Sequence, residues 1–261
     1  MAKFNLLLLP YAGAGSEVFR GWMAALPSWI KPIPVDLPGH GRRYSERALY
    51  DWTSLIDVLS SEIVSYLDQP FGIFGHSMGA LVGLELAHII RIRHRKTPSW
   101  FCASGCVAPS RRTPESKWLD CPDVEIIKEL RRLGGTSPEV FESYELLELI
   151  IPILRADFHL CDSYLPPLQR LPLPSAFLVL GGRDDELSHP ISKLSDWSAE
   201  TSAAFRIEMI DGGHFFIDTE RDTIIRLVID EITKAKQNTD LVDHDCRQKH
   251  RLMNSAYQPC R

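Results

Sequence analysis

The chain has 261 residues, 44% hydrophobic and 24% charged, a composition that suits one globular unit with a full core. Its formal net charge of -5 gives no reason to expect a nucleic-acid partner. Six cysteines stand at 102, 106, 121, 161, 246 and 260 with no Cys-x-x-Cys pair, which argues against a zinc site and fits reduced thiols in a cytoplasmic protein.

Phe4 to Leu9 is a near-continuous apolar run, the pattern of a strand covered on both faces. It is too short for a signal peptide, and Pro10-Tyr11 stands where a small-residue cleavage site would be. No stretch approaches the roughly 18 apolar residues of a membrane span. Next comes Pro10-Tyr-Ala-Gly-Ala-Gly15, a small-residue loop in which backbone can approach a ligand closely. It lacks both the Gly-Lys-Ser/Thr end of a phosphate loop and the third glycine of a dinucleotide fingerprint. Val18 to Leu26 reads as a helix and Ile33 to Asp36 as a short strand. In Pro38-Gly-His-Gly41 the simplest role for His40 is a ring that fixes its own loop. Trp52 to Leu67 carries apolar residues at helical spacing.

Phe71 to Ala80 then runs as an apolar segment, Gly75-His-Ser-Met-Gly79, and a helix from Leu81 to Ile90. Strand, sharp turn and helix with Ser77 at the apex form a nucleophile elbow, and the N-H of Met78 lies at a helix N-terminus, where an oxyanion is stabilised. The cations of Arg91 to Lys96 complement a helix C-terminus, with docking of an acidic partner as a second reading. Trp100 to Val107 is the next strand. From about 110 to 170 helices follow without strands: Val124 to Leu133, Pro138 to Ile151 and Pro152 to Tyr164. They are expected to form a lid over the sheet edge above Ser77. Ser175 to Leu180 and Phe205 to Ile210 are the last strands, and Thr223 to Ala235 is a closing helix. Residues 1–235 are thus expected to form a single domain, and 236–261 a polar, disordered tail.

A carboxylate, Asp185 or Asp184, follows the penultimate strand, and His214 follows the final one behind two glycines. The order serine, acid, histidine, each just past a strand, is that of the α/β-hydrolase fold, a mostly parallel central sheet flanked by helices. In that arrangement His214 takes the Ser77 proton and the aspartate holds the imidazole. Counting from Gly182 as the strand-end glycine favours Asp185. The backbone N-H of Ala12 is the candidate second oxyanion donor. This chemistry requires no metal and no organic cofactor.

Leu9-Pro-Tyr-Ala-Gly-Ala-Gly15, Asp36-Leu-Pro-Gly-His-Gly-Arg42, Gly75-His-Ser-Met-Gly79, Leu154-Arg-Ala-Asp-Phe158, Gly181-Gly-Arg-Asp-Asp185 and Gly212-Gly-His-Phe-Phe216 together resemble the type II thioesterases, the free-standing editing enzymes of polyketide and nonribosomal-peptide synthesis. The resemblance spans roughly residues 4 to 235, with Glu186 departing from the proline common after the acid. It implies Ser77, Asp185 and His214 as the triad and Met78 and Ala12 as oxyanion donors. It further implies hydrolysis of acyl thioesters on the phosphopantetheine arm of an acyl or peptidyl carrier protein. Charge and apolar runs give no reason to expect a nucleic-acid or membrane partner, and a monomer is the default expectation. Carrier proteins tend to be acidic, so Arg91 to Lys96 or Arg111-Arg112 are the expected docking cations. A carboxylesterase or acyl-CoA thioesterase of the same fold is the nearest alternative, and a hydrolase-fold receptor without activity a more distant one.

Overall fold

The computed structural model describes residues 4–167 and 169–237. Six parallel strands, β1 Phe4–Leu9, β2 Ile30–Pro34, β3 Phe71–His76, β4 Trp100–Ser104, β5 Ala176–Gly182 and β6 Phe205–Ile210, form one sheet in the order β2-β1-β3-β4-β5-β6. The helices are α1 Arg20–Ala25, α2 Trp52–Glu62, α3 Met78–His94, α4 Asp123–Leu133, α5 Pro138–Glu142, α6 Tyr144–Ser163, α7 Ser192–Ser195 and α8 Phe216–Thr219, with a last helical stretch over 221–237.

The expected burial of β1 on both faces holds. Leu7 and Leu9 join the core that includes Leu55 and Leu59 of α2 and Leu81 and Leu84 of α3, while Phe4, Leu6 and Leu8 join the one with Trp22 of α1 and Ile224 and Val228 of the last helix. Alternate residues of a strand point to opposite faces, so a strand covered by helices on both sides must be apolar throughout. The chain leaves β1 toward β2 on one side and returns to β3 on the other. Loops at the C-terminal ends of β1 and β3 therefore diverge and leave a crevice between them, the place where open α/β sheets bind ligands.

Three expectations need correction. The second strand is Ile30–Pro34, not Ile33 to Asp36. It is an edge strand, where Pro32 and Pro34 cost the sheet no inner ladder bond. Helix α2 stops at Glu62, and Val64–Tyr66 tightens into a 3-10 turn. The break expected at Pro152 is absent: α6 runs through it as one helix of 20 residues, started by the Ser143 side chain accepting from the Leu146 N-H. Proline at 152 leaves the carbonyl of Glu148 without its donor, but Glu148 is exposed, so water can serve it. The polar tail expected over 236–261 lies outside the described residues from 238 onward, and 236–237 continue the last helix.

Helices α4 to α6 stand between β4 and β5 and carry a small core of their own, with Trp118, Ile126, Leu130, Ile151, Leu154 and Phe158, against which Ala12 packs. None of the described helices is long and apolar enough to cross a membrane.

Candidate active site

Ser77 sits between β3 and α3 with φ 54° and ψ -117°, a strained conformation for a residue with a side chain. The flanking glycines make the turn possible. A Cβ on Gly75 would lie 2.1 Å from the Gly79 carbonyl oxygen, and one on Gly79 would lie 2.3 Å from that of Leu9. The elbow is thus pressed between the adjacent strand and its own helix, as its sequence implies, and the hydroxyl emerges at the crevice.

The other two groups arrive from the ends of β5 and β6. His214 Nε2 is 3.0 Å from Ser77 Oγ, and His214 Nδ1 is 3.1 Å from Asp185 Oδ2. Since a carboxylate only accepts, Nδ1 carries the hydrogen and Nε2 is left free to accept from the serine. Asp185 is itself fixed: Oδ2 accepts from Ser188 Oγ at 2.6 Å and Oδ1 from the Leu187 N-H at 3.0 Å. Burial alone would raise its pKa, but His214, the Ser188 hydroxyl and the Leu187 N-H together hold it below the ordinary carboxylate value. Asp184 is exposed, and its backbone N-H donates to the Gly212 carbonyl at 3.0 Å. Of the two adjacent aspartates, Asp185 is the one against the imidazole.

Met78 contributes the first N-H of α3, one of the helix's orphan donors. Ala12 lines the same cavity of about 170 Å³ as Ser77, Met78, His214 and Phe158. A larger groove of about 590 Å³ between α4, α6 and residues 47–50 contains none of these groups. Among the described residues no cluster of three or more His, Cys, Asp or Glu is arranged to hold a metal ion.

Sequence reasoning passed over His76, the residue before the serine. It is fully buried; its Nε2 lies 2.9 Å from the backbone carbonyl oxygen of His214 and its Nδ1 lies 2.9 Å from Ser104 Oγ. The carbonyl only accepts, so Nε2 donates to it and Nδ1 accepts the Ser104 hydroxyl. Burial, reinforced by His214, pulls the His76 pKa down to about 3, which keeps the ring neutral and this tautomer in place. His76 thereby ties the β3 end to the loop that carries His214. The available signal was a histidine inside an otherwise apolar strand, where a buried ring must find two partners. The ring of His40 does hold its own loop, through Nδ1 and the Pro38 carbonyl at 3.0 Å, and it also reaches Asp157 of α6.

A parallel sheet whose strand ends bring a serine elbow, an aspartate and a histidine into one hydrogen-bonded row defines the α/β-hydrolase class. Within it, the chain belongs to the thioesterase domain family, whose model matches residues 4–232. It is 35% identical over 231 residues to the protein named linear gramicidin dehydrogenase LgrE of Brevibacillus parabrevis, covering 87% of each chain. It is 30% identical over 238 residues to the thioesterase PikA5 of Streptomyces venezuelae, covering 90% of this chain and 83% of that one. Among solved structures it is similar to YbtT, a type II thioesterase from the yersiniabactin NRPS/PKS biosynthetic pathway, with a TM-score of 0.78 and 30% identity over 90% of this chain and 94% of that one.

Proposed function

We propose that the chain is an editing thioesterase that releases acyl groups from the phosphopantetheine arm of acyl or peptidyl carrier proteins. The observation that carries the reading is the hydrogen-bonded row Ser77, His214, Asp185 opening into a cavity beside two candidate oxyanion donors, in a chain similar to type II thioesterases.

In this reading Ser77 Oγ attacks the thioester carbonyl carbon while His214 Nε2 takes its proton. Asp185 holds the tautomer and stabilises the imidazolium. The carbonyl oxygen becomes an oxyanion facing the Met78 and Ala12 N-H groups, each worth about 3 kcal/mol by comparison with measured oxyanion donors. Collapse breaks the C-S bond, and the departing thiolate receives the proton from His214. Water then repeats the sequence on the acyl-serine, with His214 as base, and frees the acid and Ser77. A thiol has a pKa near about 8.5, so it leaves with less help from the acid than an alkoxide requires.

Helices α4 to α6 act as a lid in this reading, supported by Trp118, Leu133 and Phe158 lining the cavity with Ser77. Carrier docking on Arg91 to Lys96 is not retained. That run ends α3, about 24 Å from Ser77 by helix rise. Three of its cations are also engaged, Arg91 on the Pro172 carbonyl at 2.8 Å, Arg93 with Asp57, and Lys96 with the Leu67 carbonyl and Asp68, while Arg95 is exposed. Arg111 pairs with Asp196 and Arg112 donates to the Cys161 carbonyl at 2.7 Å, so engagement does not separate the two runs; position does, since Arg112 lines the cavity itself, and docking falls on the Arg111-Arg112 side. A cytoplasmic setting suits the free thiols of Cys102, Cys106, Cys121 and Cys161.

The test compares one acyl group presented on a holo carrier protein, on coenzyme A and as a nitrophenyl ester. The carrier-bound thioester is expected to show the highest kcat/KM by at least about tenfold, from binding energy contributed by the carrier. Equal or faster turnover of the free ester would make the protein a general esterase.

A further inference from the structure

Asp157 of α6 stands 144 residues from Gly13 in the sequence, yet its Oδ2 accepts the Gly13 N-H at 2.7 Å. The same oxygen lies 2.8 Å from His40 Nε2. Both side chains are buried, with 1% and 2% of their area exposed. His40 Nδ1 faces the Pro38 carbonyl at 3.0 Å, and both partners of this ring, a carbonyl and a carboxylate, only accept. The pair therefore holds a proton on each ring nitrogen, an imidazolium against a carboxylate. Burial opposes the charged ring, but Asp157 and the Pro38 and Leu37 carbonyls win and hold the His40 pKa above its ordinary value.

The bond to Gly13 falls in a turn. The Ala14 N-H donates to the Tyr11 carbonyl at 3.1 Å, and Gly13 has φ +79°, the pattern of a type II turn with Ala12 and Gly13 at its centre. Types I and II differ by turning over the central peptide plane, here Ala12–Gly13. An acceptor on the Gly13 N-H fixes that plane. Leu154, one helical turn before Asp157, closes on the same glycine: a Cβ at position 13 would lie 2.7 Å from Leu154 Cδ2. The loop that carries the Ala12 N-H is thus held by one face of α6.

We propose that Asp157 is a positioning residue for the oxyanion site, its carboxylate locking the Ala12–Gly13 peptide while His40 holds the carboxylate, so that seating of α6 and assembly of the site are one event. The inference rests on the reading of Ala12 as an oxyanion donor. It assigns the Asp157–His40 pair a role in kcat that a purely structural latch would not have.

Asp157→Ala and Asp157→Asn, each normalised by active-site titration, separate the two. The alanine variant is expected to lose about tenfold to a hundredfold in kcat, a fraction of what removing an oxyanion donor costs, with KM for the acyl thioester little moved. Its affinity for an alkyl trifluoromethyl ketone, which adds Ser77 to form an oxyanion, should fall by the same factor, and that for the matching methyl ketone should not. The asparagine variant keeps an amide oxygen for the Gly13 N-H but loses the charge partner of His40. It is expected to keep most of kcat while its melting temperature falls. Unchanged kcat and ketone affinity in Asp157→Ala would overturn the proposal, as would a kcat loss in Asp157→Asn as large as in the alanine variant. If Asp157→Ala does not fold, Asp157→Leu, which fills a similar volume without an acceptor for the Gly13 N-H, takes its place with the same expected losses in kcat and ketone affinity, and unchanged values in it overturn the proposal. Failure of the underlying reading shows separately: wild-type enzyme that binds the trifluoromethyl ketone no tighter than the methyl ketone has no working oxyanion site, whatever Asp157 does.

Discussion

Asp185→Asn is expected to lower kcat about 10⁴-fold, while Asp184→Asn leaves it within about twofold. The difference follows from which atoms each side chain touches. Asp185 Oδ2 accepts from His214 Nδ1 at 3.1 Å and from Ser188 Oγ at 2.6 Å. An asparagine amide turned to the ring would donate to Nδ1 and move the hydrogen to Nε2, which could then no longer take the serine proton. Asp184 meets the site only through its backbone N-H on the Gly212 carbonyl, a bond that asparagine retains. Single-turnover and steady-state rates on an acyl thioester measure both. Equal losses, or the reverse order, would show that the acid had been misassigned.

The elbow glycines carry the second large effect. Gly75→Ala and Gly79→Ala each place a methyl group against backbone, 2.1 Å from the Gly79 oxygen and 2.3 Å from the Leu9 oxygen, with no flexible side-chain end to yield. Each is expected to lose more than about 4 kcal/mol of stability, in the range reserved for severe core strain. Gly213→Ala is the control. No atom lies within 4 Å of a Cβ there, although Gly213 adjoins His214. Urea denaturation should leave Gly213→Ala within about 0.5 kcal/mol of wild type. A Gly75→Ala protein as stable as wild type would mean that the elbow is looser than its contacts.

The features that could be read from the sequence are those written in consecutive residues. An unbroken apolar run made β1 a doubly covered strand, two glycines around a serine made the elbow, and a histidine or acid just past a strand had to reach the sheet edge. The strand-end count favours Asp185 but leaves Asp184 open; in the structure the carboxylate of Asp185, not that of Asp184, stands against the His214 ring. Pro152 was a poor guide to a helix end, because the carbonyl it strips of a donor belongs to Glu148, an exposed residue that water can serve. Which residues pair across long stretches of chain left no local pattern, even where a histidine in an apolar strand, as at His76, signals that partners are needed. His76 finds the His214 carbonyl 138 residues on, and Asp157 finds His40 and Gly13 across 117 and 144 residues. The basic run at 91–96 was legible as charge, but its distance from Ser77 is a property of the helix it ends.

The most direct test of the carrier-thioesterase account is to mix Asp185→Asn enzyme, slowed in turnover, with a holo carrier protein bearing one defined acyl thioester, to quench at short times, and to map the enzyme's peptides by mass spectrometry. The account predicts the acyl mass on the peptide containing Ser77, rising as the carrier loses it, and no such mass with Ser77→Ala. Loss of the acyl group from the carrier with Ser77 unmodified, or equal loss with Ser77→Ala, would contradict it.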